Sequence, residues 1–221
     1  MTKITAHAGC EGTIPGTREG IETAVRLGAD VVEMDLRLLD GVVWLSHDLP
    51  GTEGFHTYLT LERALGLLRG SPVEINCDLK EPEVFPHALR IIRGMDLESR
   101  TIFTGEFDPA LEDRGDQYRY FQNVEHLAGL SLERKLTGED ARRLVRHYRT
   151  SAGESFAGYN ISYKMLTPEA LGTLSAAGIP LSCWTVDERA EIRTLLRAEI
   201  AYLTTNLVGY AVGQRAVLSS R

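Results

Sequence analysis

The sequence predicts a closed (β/α)8 barrel, an α/β fold in one domain over residues 1–221, with a reduced insertion after the second strand. Short apolar runs alternate with helical patterns from one end of the chain to the other, an order typical of a parallel sheet. The chain has 221 residues, close to the length that eight such units need. A doubly wound open sheet is the alternative, although no GxGxxG motif follows the first strand as its dinucleotide-binding version would require.

Eight segments have the apolar alternation of strands. They are Lys3–Gly9, Asp30–Leu38, Pro72–Lys80, Arg100–Thr104, Tyr118–Asn123, Ala157–Tyr163, Ile179–Val186 and Ile200–Thr204, the last of which ends the series. Helical patterns occupy most of the gaps between them. They are Thr17–Gly28, Leu59–Gly70, Pro82–Gly94, a stretch after Asp108, Thr137–Thr150, a stretch from Thr167 to Gly178, and Asp187–Ala198. The Asp40-Gly41 pair predicts a hairpin that folds residues 39–46 back along the second strand.

Composition excludes several classes of protein. The formal net charge is −7 and no block of lysines and arginines occurs, which argues against a nucleic-acid partner or stable membrane association. No run of about 18 apolar residues and no signal-peptide pattern is present. Cys10, Cys77 and Cys183 lie far apart without a CxxC motif, so we expect reduced, structural thiols in a cytoplasmic protein.

The second predicted strand, written VVEMDLRL, carries two carboxylates in an otherwise apolar run. Barrel strands alternate between lumen and helix layer, so Glu33 and Asp35 share the lumen face. The same alternation in the next strand, PVEINCDLK, directs Asp78 and Lys80 into the lumen. Three neighbouring carboxylates are costly without shared protons or a cation, and a hard divalent ion such as Mg²⁺ or Ca²⁺ resolves the conflict. The alternative is a salt-bridge network that uses Arg37 and Lys80.

Two histidines occupy predicted strand ends beside this acidic group. His7 ends the first strand and His47 lies where the hairpin returns. Barrel enzymes carry their chemistry at the C-terminal ends of strands, and imidazole titrates near neutral pH, so the two are a candidate acid–base pair. Trp184 alternates onto the lumen side, where it either packs over a substrate or fills the barrel. The remaining histidines are expected at the surface: His56, His87, His126 and His147.

Five short motifs together resemble the glycerophosphodiester phosphodiesterase family. They occur in the family's order along nearly the whole chain: HAG at 7–9, EMD at 33–35, SHD at 46–48, DLK at 78–80 and WTV at 184–186. The resemblance implies a TIM barrel of the phosphatidylinositol-phospholipase-C-like kind, active in lipid metabolism. It implies metal-dependent hydrolysis of a small-molecule phosphodiester to glycerol 3-phosphate and an alcohol.

The resemblance also assigns roles to individual residues. The implied roles are catalysis for His7 and His47, metal binding for Glu33, Asp35 and Asp78, and substrate binding for Lys80 and Trp184. The implied cofactor is a divalent cation, Mg²⁺ or Ca²⁺. Which histidine is the acid and which the base is left open.

The chain departs from the family pattern at several positions. The family has His-Arg-Gly where this chain has Ala8 between histidine and glycine, which removes a phosphate-binding guanidinium. Gly16 replaces an asparagine, Asp78 stands for a glutamate, and Asn206 stands where the family often has aspartate. A barrel that binds a phosphorylated ligand without cleaving it is therefore the alternative function. A phospholipase D-type lipid phosphodiesterase ranks third, because the loop after His47 lacks the cysteines of those relatives.

Overall fold

A computed structural model describes residues 1–48, 58–108, 118–151 and 155–220 of the chain. In this part of the chain a single sheet has nine strands. They are β1 (Lys3–Ala6), β2 (Val31–Leu39), β3 (Val42–Leu45), β4 (Glu74–Leu79), β5 (Thr101–Gly105), β6 (Tyr120–Asn123), β7 (Phe156–Ser162), β8 (Leu181–Trp184) and β9 (Tyr202–Thr205). Strand β1 pairs in parallel with both β9 and β2, which closes the barrel and confirms the predicted fold.

Seven α-helices surround this sheet among the described residues. They are α1 (Arg18–Arg26), α2 (Leu61–Leu68), α3 (Val84–Gly94), α4 (Gly138–Ser151), α5 (Pro168–Ala176), α6 (Arg189–Arg197) and α7 (Val208–Ser219). Threonines cap four of them, because Thr17, Thr60, Thr137 and Thr167 each accept a hydrogen bond from a backbone N–H of the first turn. Helix α7 corrects the prediction that the series ends at the last strand. No helix of the described segments has the length and apolarity that a membrane crossing needs.

The hairpin predicted at Asp40-Gly41 is present. Both residues have positive φ, 52° and 76°, as a two-residue turn between twisted strands requires. Strand β3 therefore runs antiparallel to β2. It brings the chain back to His47, near the C-terminal ends of the barrel strands. The reduced insertion is predicted as the loop Leu49–Leu59 and one helix, and residues 49–57 of it, with His56, lie outside the described residues. The helix predicted after Asp108 also lies outside them.

The inner and outer faces of the strands have different surroundings. Met34, Cys77 and other residues that alternate outward pack in one large apolar core against the helices. A small separate cluster fills the lumen near the amino ends of the strands: Val31, Ile102, Phe121 and Tyr202. The polar lumen residues of β2 and β4 follow this plug along their strands, so the open, polar part of the lumen lies at the C-terminal mouth. The three cysteines are buried free thiols, and burial raises the pKa of each.

Candidate active site

A cavity of about 350 Å³ opens at the C-terminal mouth of the barrel. It brings together every residue for which the sequence predicted a role: His7, Glu33, Asp35, His47, Asp78, Lys80 and Trp184. These residues come from four different barrel strands and from the return of the hairpin. A shared cavity of this size at the C-terminal face is where barrel enzymes bind their substrates.

The three predicted metal ligands form one cluster. Strands β2 and β4 pair in register with Asp35 opposite Asp78, and Glu33 lies two residues earlier on the same face. One carboxylate oxygen from each lies within 4.8 Å of the others. The Oε2 atom of Glu33 is shielded from solvent and has no hydrogen-bond partner among the described residues. Burial, and then the charges of Asp35 and Asp78, raise the pKa of Glu33 well above its usual value, although the backbone N–H of Ala8 donates to it.

Lys80 offsets part of this negative charge. Its Nζ lies 2.7 Å from Asp35 Oδ1 and 2.5 Å from Asp78 Oδ2. Burial lowers the pKa of Lys80, but the two carboxylates more than compensate, and the net effect is a raised pKa. Thr104 Oγ1 also donates to Asp78 Oδ1 at 2.7 Å, which fixes that carboxylate. Three carboxylates against one ammonium leave a deficit of positive charge that a divalent cation matches.

Gly105 allows Asp78 to take this position. A Cβ at residue 105 would lie 2.8 Å from Asp78 Oδ1 and 2.2 Å from the carbonyl oxygen of Leu79, and the residue has a φ of +87°. Both the close approach and the left-handed backbone exclude larger residues. The shorter aspartate at the position of the family's glutamate is therefore packed against the backbone of β5.

Arg37 has a different role from the one considered in the salt-bridge alternative. It forms an ion pair with Glu81 and does not join the carboxylate cluster. Its Nε donates to the carbonyl oxygen of His47 at 3.0 Å, and its Nη1 donates to that of Lys80 at 3.2 Å. Glu81 in turn accepts from the backbone N–H of Leu38 at 2.7 Å. The Arg37–Glu81 pair thus ties together the chain segments that carry His47 and Lys80.

We expect the substitution Glu81→Gln to lower the free energy of unfolding by about 1–2 kcal/mol, because it weakens a charge-assisted contact of a half-buried arginine. Urea unfolding measures this change. The control is Glu22→Gln, which breaks the exposed Arg18–Glu22 pair and is expected to cost less than about 0.5 kcal/mol. Equal effects in the two variants would contradict the structural importance of the Arg37–Glu81 pair.

The two histidines have different surroundings. His7 is half-buried, and its Nδ1 lies 3.0 Å from Asn206 Oδ1. The side chain of His47 is 65% exposed, and its Nδ1 lies 3.0 Å from Asp48 Oδ1. Both rings line the cavity, so the pair that the sequence predicted is assembled at one mouth. One imidazole is held by an amide and the other by an exposed carboxylate.

Trp184 is half-buried at the end of β8 and faces the cavity, as the alternation predicted. The Asn160 amide, oriented with its oxygen toward the indole, accepts from Trp184 Nε1 at 3.2 Å and donates to Ser182 Oγ at 2.9 Å. This contact restrains the ring and leaves its apolar surface available to a ligand.

Sequence reasoning missed two acidic residues of the cavity wall. Glu106 and Glu125 follow β5 and β6 and line the cavity. Glu106 Oε1 lies 3.2 Å from His126 Nε2. Burial raises the pKa of Glu125, and the charges of Glu106 and Asp78 add to the effect. Their position just after barrel strands was a signal. A single glutamate after a strand is too common, however, to identify a residue of the cavity wall by itself.

No protein-family model and no curated protein matches the sequence. Solved structures do match over nearly the whole chain. A glycerophosphodiester phosphodiesterase from Parabacteroides distasonis superposes with a TM-score of 0.69 at 21% identity, covering 100% of this chain and 98% of that chain. The chain has the fold of the glycerophosphodiester phosphodiesterases.

A second structure of this group contains a reaction product. An Oleispira antarctica phosphodiesterase in complex with the product sn-glycerol-3-phosphate has a TM-score of 0.72 and 16% identity, with coverage of 97% of this chain and 96% of that chain. The same barrel also occurs in a dihydropteroate synthase from Anaplasma phagocytophilum, at a TM-score of 0.60 and 13% identity over 99% of this chain and 98% of that one. Likeness to the glycerophosphodiester phosphodiesterases thus establishes the fold, and the function has to be argued from the residues of the site.

Proposed function

We propose that the chain is a metal-dependent phosphodiesterase of the glycerophosphodiester phosphodiesterase family, which hydrolyses glycerophosphodiesters to glycerol 3-phosphate and an alcohol. The observation that carries this proposal is the cluster of Glu33, Asp35 and Asp78, whose oxygens lie within 4.8 Å of one another in a cavity shared with His7 and His47. The five sequence motifs and the product bound to the Oleispira protein support the same substrate class.

The donor set fits a hard divalent cation, Mg²⁺ or Ca²⁺. All three ligands are carboxylates, and no donor from the described part of the chain reaches the buried Oε2 of Glu33. Glu33, Asp35 and Asp78 would hold the ion, with the Lys80 ammonium beside it. When bound, the cation supplies Lewis-acid stabilisation of the negative charge on a nonbridging phosphate oxygen.

The two imidazoles supply proton transfer. One takes the proton of the attacking hydroxyl or water as its oxygen bonds to phosphorus. The other protonates the departing alkoxide as the bond between that oxygen and phosphorus breaks. If the glycerol 2-hydroxyl attacks, a cyclic phosphate forms first and water then opens it. Lys80 would contact the phosphate, and the indole of Trp184 would pack against the organic part of the substrate.

The phosphate has few cationic partners in this cavity. Ala8 supplies no guanidinium, and Arg37 is committed to Glu81 and to two backbone carbonyls. This arrangement favours weak substrate binding and is the observation behind the alternative, a barrel that binds a phosphorylated ligand without cleaving it. Retention of both histidines at one mouth favours the enzyme, because a protein that only binds has no need of a matched acid–base pair.

We expect the purified protein with Mg²⁺ or Ca²⁺ to release glycerol 3-phosphate from glycerophosphodiesters, and the chelator EDTA to abolish the activity. The Ala8→Arg variant is expected to lower KM about tenfold, because a guanidinium forms charge-assisted hydrogen bonds with phosphate. Ala176→Arg, an equal change of charge at an exposed position on α5, is the control. Hydrolysis that occurs only in the Ala8→Arg variant would overturn the proposal in favour of the binding protein.

A further inference from the structure

We infer that Asn206 and Asp187 are positioning residues that hold the His7 imidazole with its proton on Nδ1 and leave Nε2 as its basic nitrogen. This inference rests on the proposed function and assigns the proton acceptor within it. The observation is a chain of hydrogen bonds from a carboxylate through an amide to an imidazole. Its members lie after three different strands, β8, β9 and β1.

The orientation of the Asn206 amide follows from its partner Asp187. Asn206 Nδ2 lies 2.8 Å from Asp187 Oδ2, and the backbone N–H of Asn206 donates to Asp187 Oδ1 at 2.8 Å. An ionised carboxylate only accepts hydrogen bonds, so the amide nitrogen has to face Asp187. The amide oxygen therefore faces His7 Nδ1, at 3.0 Å. Because that oxygen also only accepts, the proton of the bond belongs to His7 Nδ1.

Further contacts hold this chain of groups in place. Thr205 Oγ1 donates to Asp187 Oδ1 at 3.2 Å, and Thr205 is fully buried. The backbone N–H of His7 donates to the carbonyl oxygen of Thr205 at 3.1 Å, and that of Glu11 donates to the carbonyl oxygen of Asn206 at 2.9 Å. The segments after β1 and β9 are thus joined on both sides of the ring, so the amide has little freedom to turn.

This geometry distinguishes the two histidines chemically. A neutral His7 that carries its proton on Nδ1 presents the Nε2 lone pair, which takes the proton of the attacking O–H while the oxygen's electrons form the new O–P bond. His47 is held by the carboxylate of Asp48 and lies at the exposed edge of the cavity. With His7 as the base, His47 is the ring that gives its proton to the alkoxide when the old P–O bond breaks, and exchange with solvent restores both rings.

The test compares Asn206→Leu, which removes the acceptor, with Asp187→Asn, which keeps the shape but lets the Asn206 amide turn. We expect kcat to fall about 10²-fold in Asn206→Leu and about tenfold in Asp187→Asn, with KM unchanged, because the base is misdirected while the substrate contacts remain. The control is Glu188→Gln, which removes the carboxylate next to Asp187 in the sequence. Glu188 accepts a hydrogen bond from Tyr163, and its replacement is expected to keep the wild-type kcat.

Nitrogen-15 NMR of labelled histidine supplies a readout that a merely structural role would not change. The neutral His7 ring of the wild type should show a protonated Nδ1 and an unprotonated Nε2, and Asp187→Asn should show a mixture of tautomers. A wild-type ring with its proton on Nε2, or a wild-type kcat in Asn206→Leu, would overturn the inference. A wild type that cleaves no glycerophosphodiester would overturn the proposed function instead. The NMR result would still decide which nitrogen of His7 carries the proton.

Discussion

Replacing His7 or His47 with alanine should lower kcat about 10²–10⁴-fold, the usual contribution of a general acid or base. The expectation follows from their placement, since both rings line the cavity that holds the carboxylate cluster. The double variant should be little slower than the slower single variant, because two groups that act in one proton-transfer sequence are not additive.

Steady-state kinetics with a glycerophosphodiester and saturating divalent cation measure this effect. The matched control is His87→Ala, which removes an imidazole on α3 away from the cavity and is expected to keep the wild-type kcat. Thermal unfolding of each variant separates lost chemistry from lost folding. Unchanged turnover in both His7→Ala and His47→Ala would remove the pair from the mechanism and with it the proposed function.

The lumen side of the site could be predicted because strand alternation depends only on sequence spacing. Glu33 and Asp35 differ by two positions, so they share a face in any strand. The apolar residues that alternate with them need the face that packs against the helices, which leaves the lumen for the carboxylates. The same rule placed Asp78, Lys80 and Trp184. What the spacing cannot supply is the register of β2 against β4, which sets Asp35 opposite Asp78.

The groups that orient the histidines could not be predicted. Asn206 and Asp187 are 19 positions apart along the chain and meet only because β8 and β9 are neighbours and end at the same level. The Arg37–Glu81 ion pair likewise forms only because the chain after the hairpin and the chain after β4 lie side by side. Such contacts between loops depend on tertiary geometry, for which alternation and capping patterns carry no information. Helix α7 was missed for a different reason: its apolar residues have only a weak helical periodicity, as in α5, and it lacks the threonine and proline that mark the start of α5.

Replacing Glu33 with glutamine should have opposite effects on activity and on stability. Activity should fall about 10³-fold or more, because a lost metal ligand removes several kcal/mol of charge stabilisation. In EDTA, at neutral pH and above, the free energy of unfolding should rise by about 1 kcal/mol or more, because the variant no longer buries a carboxylate whose ionisation is disfavoured. A buried group held in an unfavourable charge state for function lowers stability, so opposite changes in activity and stability are the result expected of a buried metal ligand.

The pH dependence of this stabilisation has a defined sign. Burial and the neighbouring carboxylates raise the pKa of Glu33 in the folded protein. A group with a raised folded pKa contributes stability that is fully present below its unfolded pKa of about 4.3 and is lost as the pH rises through the folded value. The metal-free wild type should therefore lose stability over this range relative to Glu33→Gln, and the difference between the two should grow with pH.

Urea unfolding at several pH values, with EDTA and with Mg²⁺ or Ca²⁺, measures both effects. The cation should stabilise the wild type, because it binds the folded state only, and should stabilise Glu33→Gln much less. The exposed variant Glu22→Gln makes the same change in net charge and should respond to cation and pH as the wild type does. If Glu33→Gln gains as much stability from the cation as the wild type, Glu33 is not a ligand. If Glu33→Gln is less stable than the wild type in EDTA at every pH, burial and the neighbouring carboxylates do not disfavour the ionised form of Glu33.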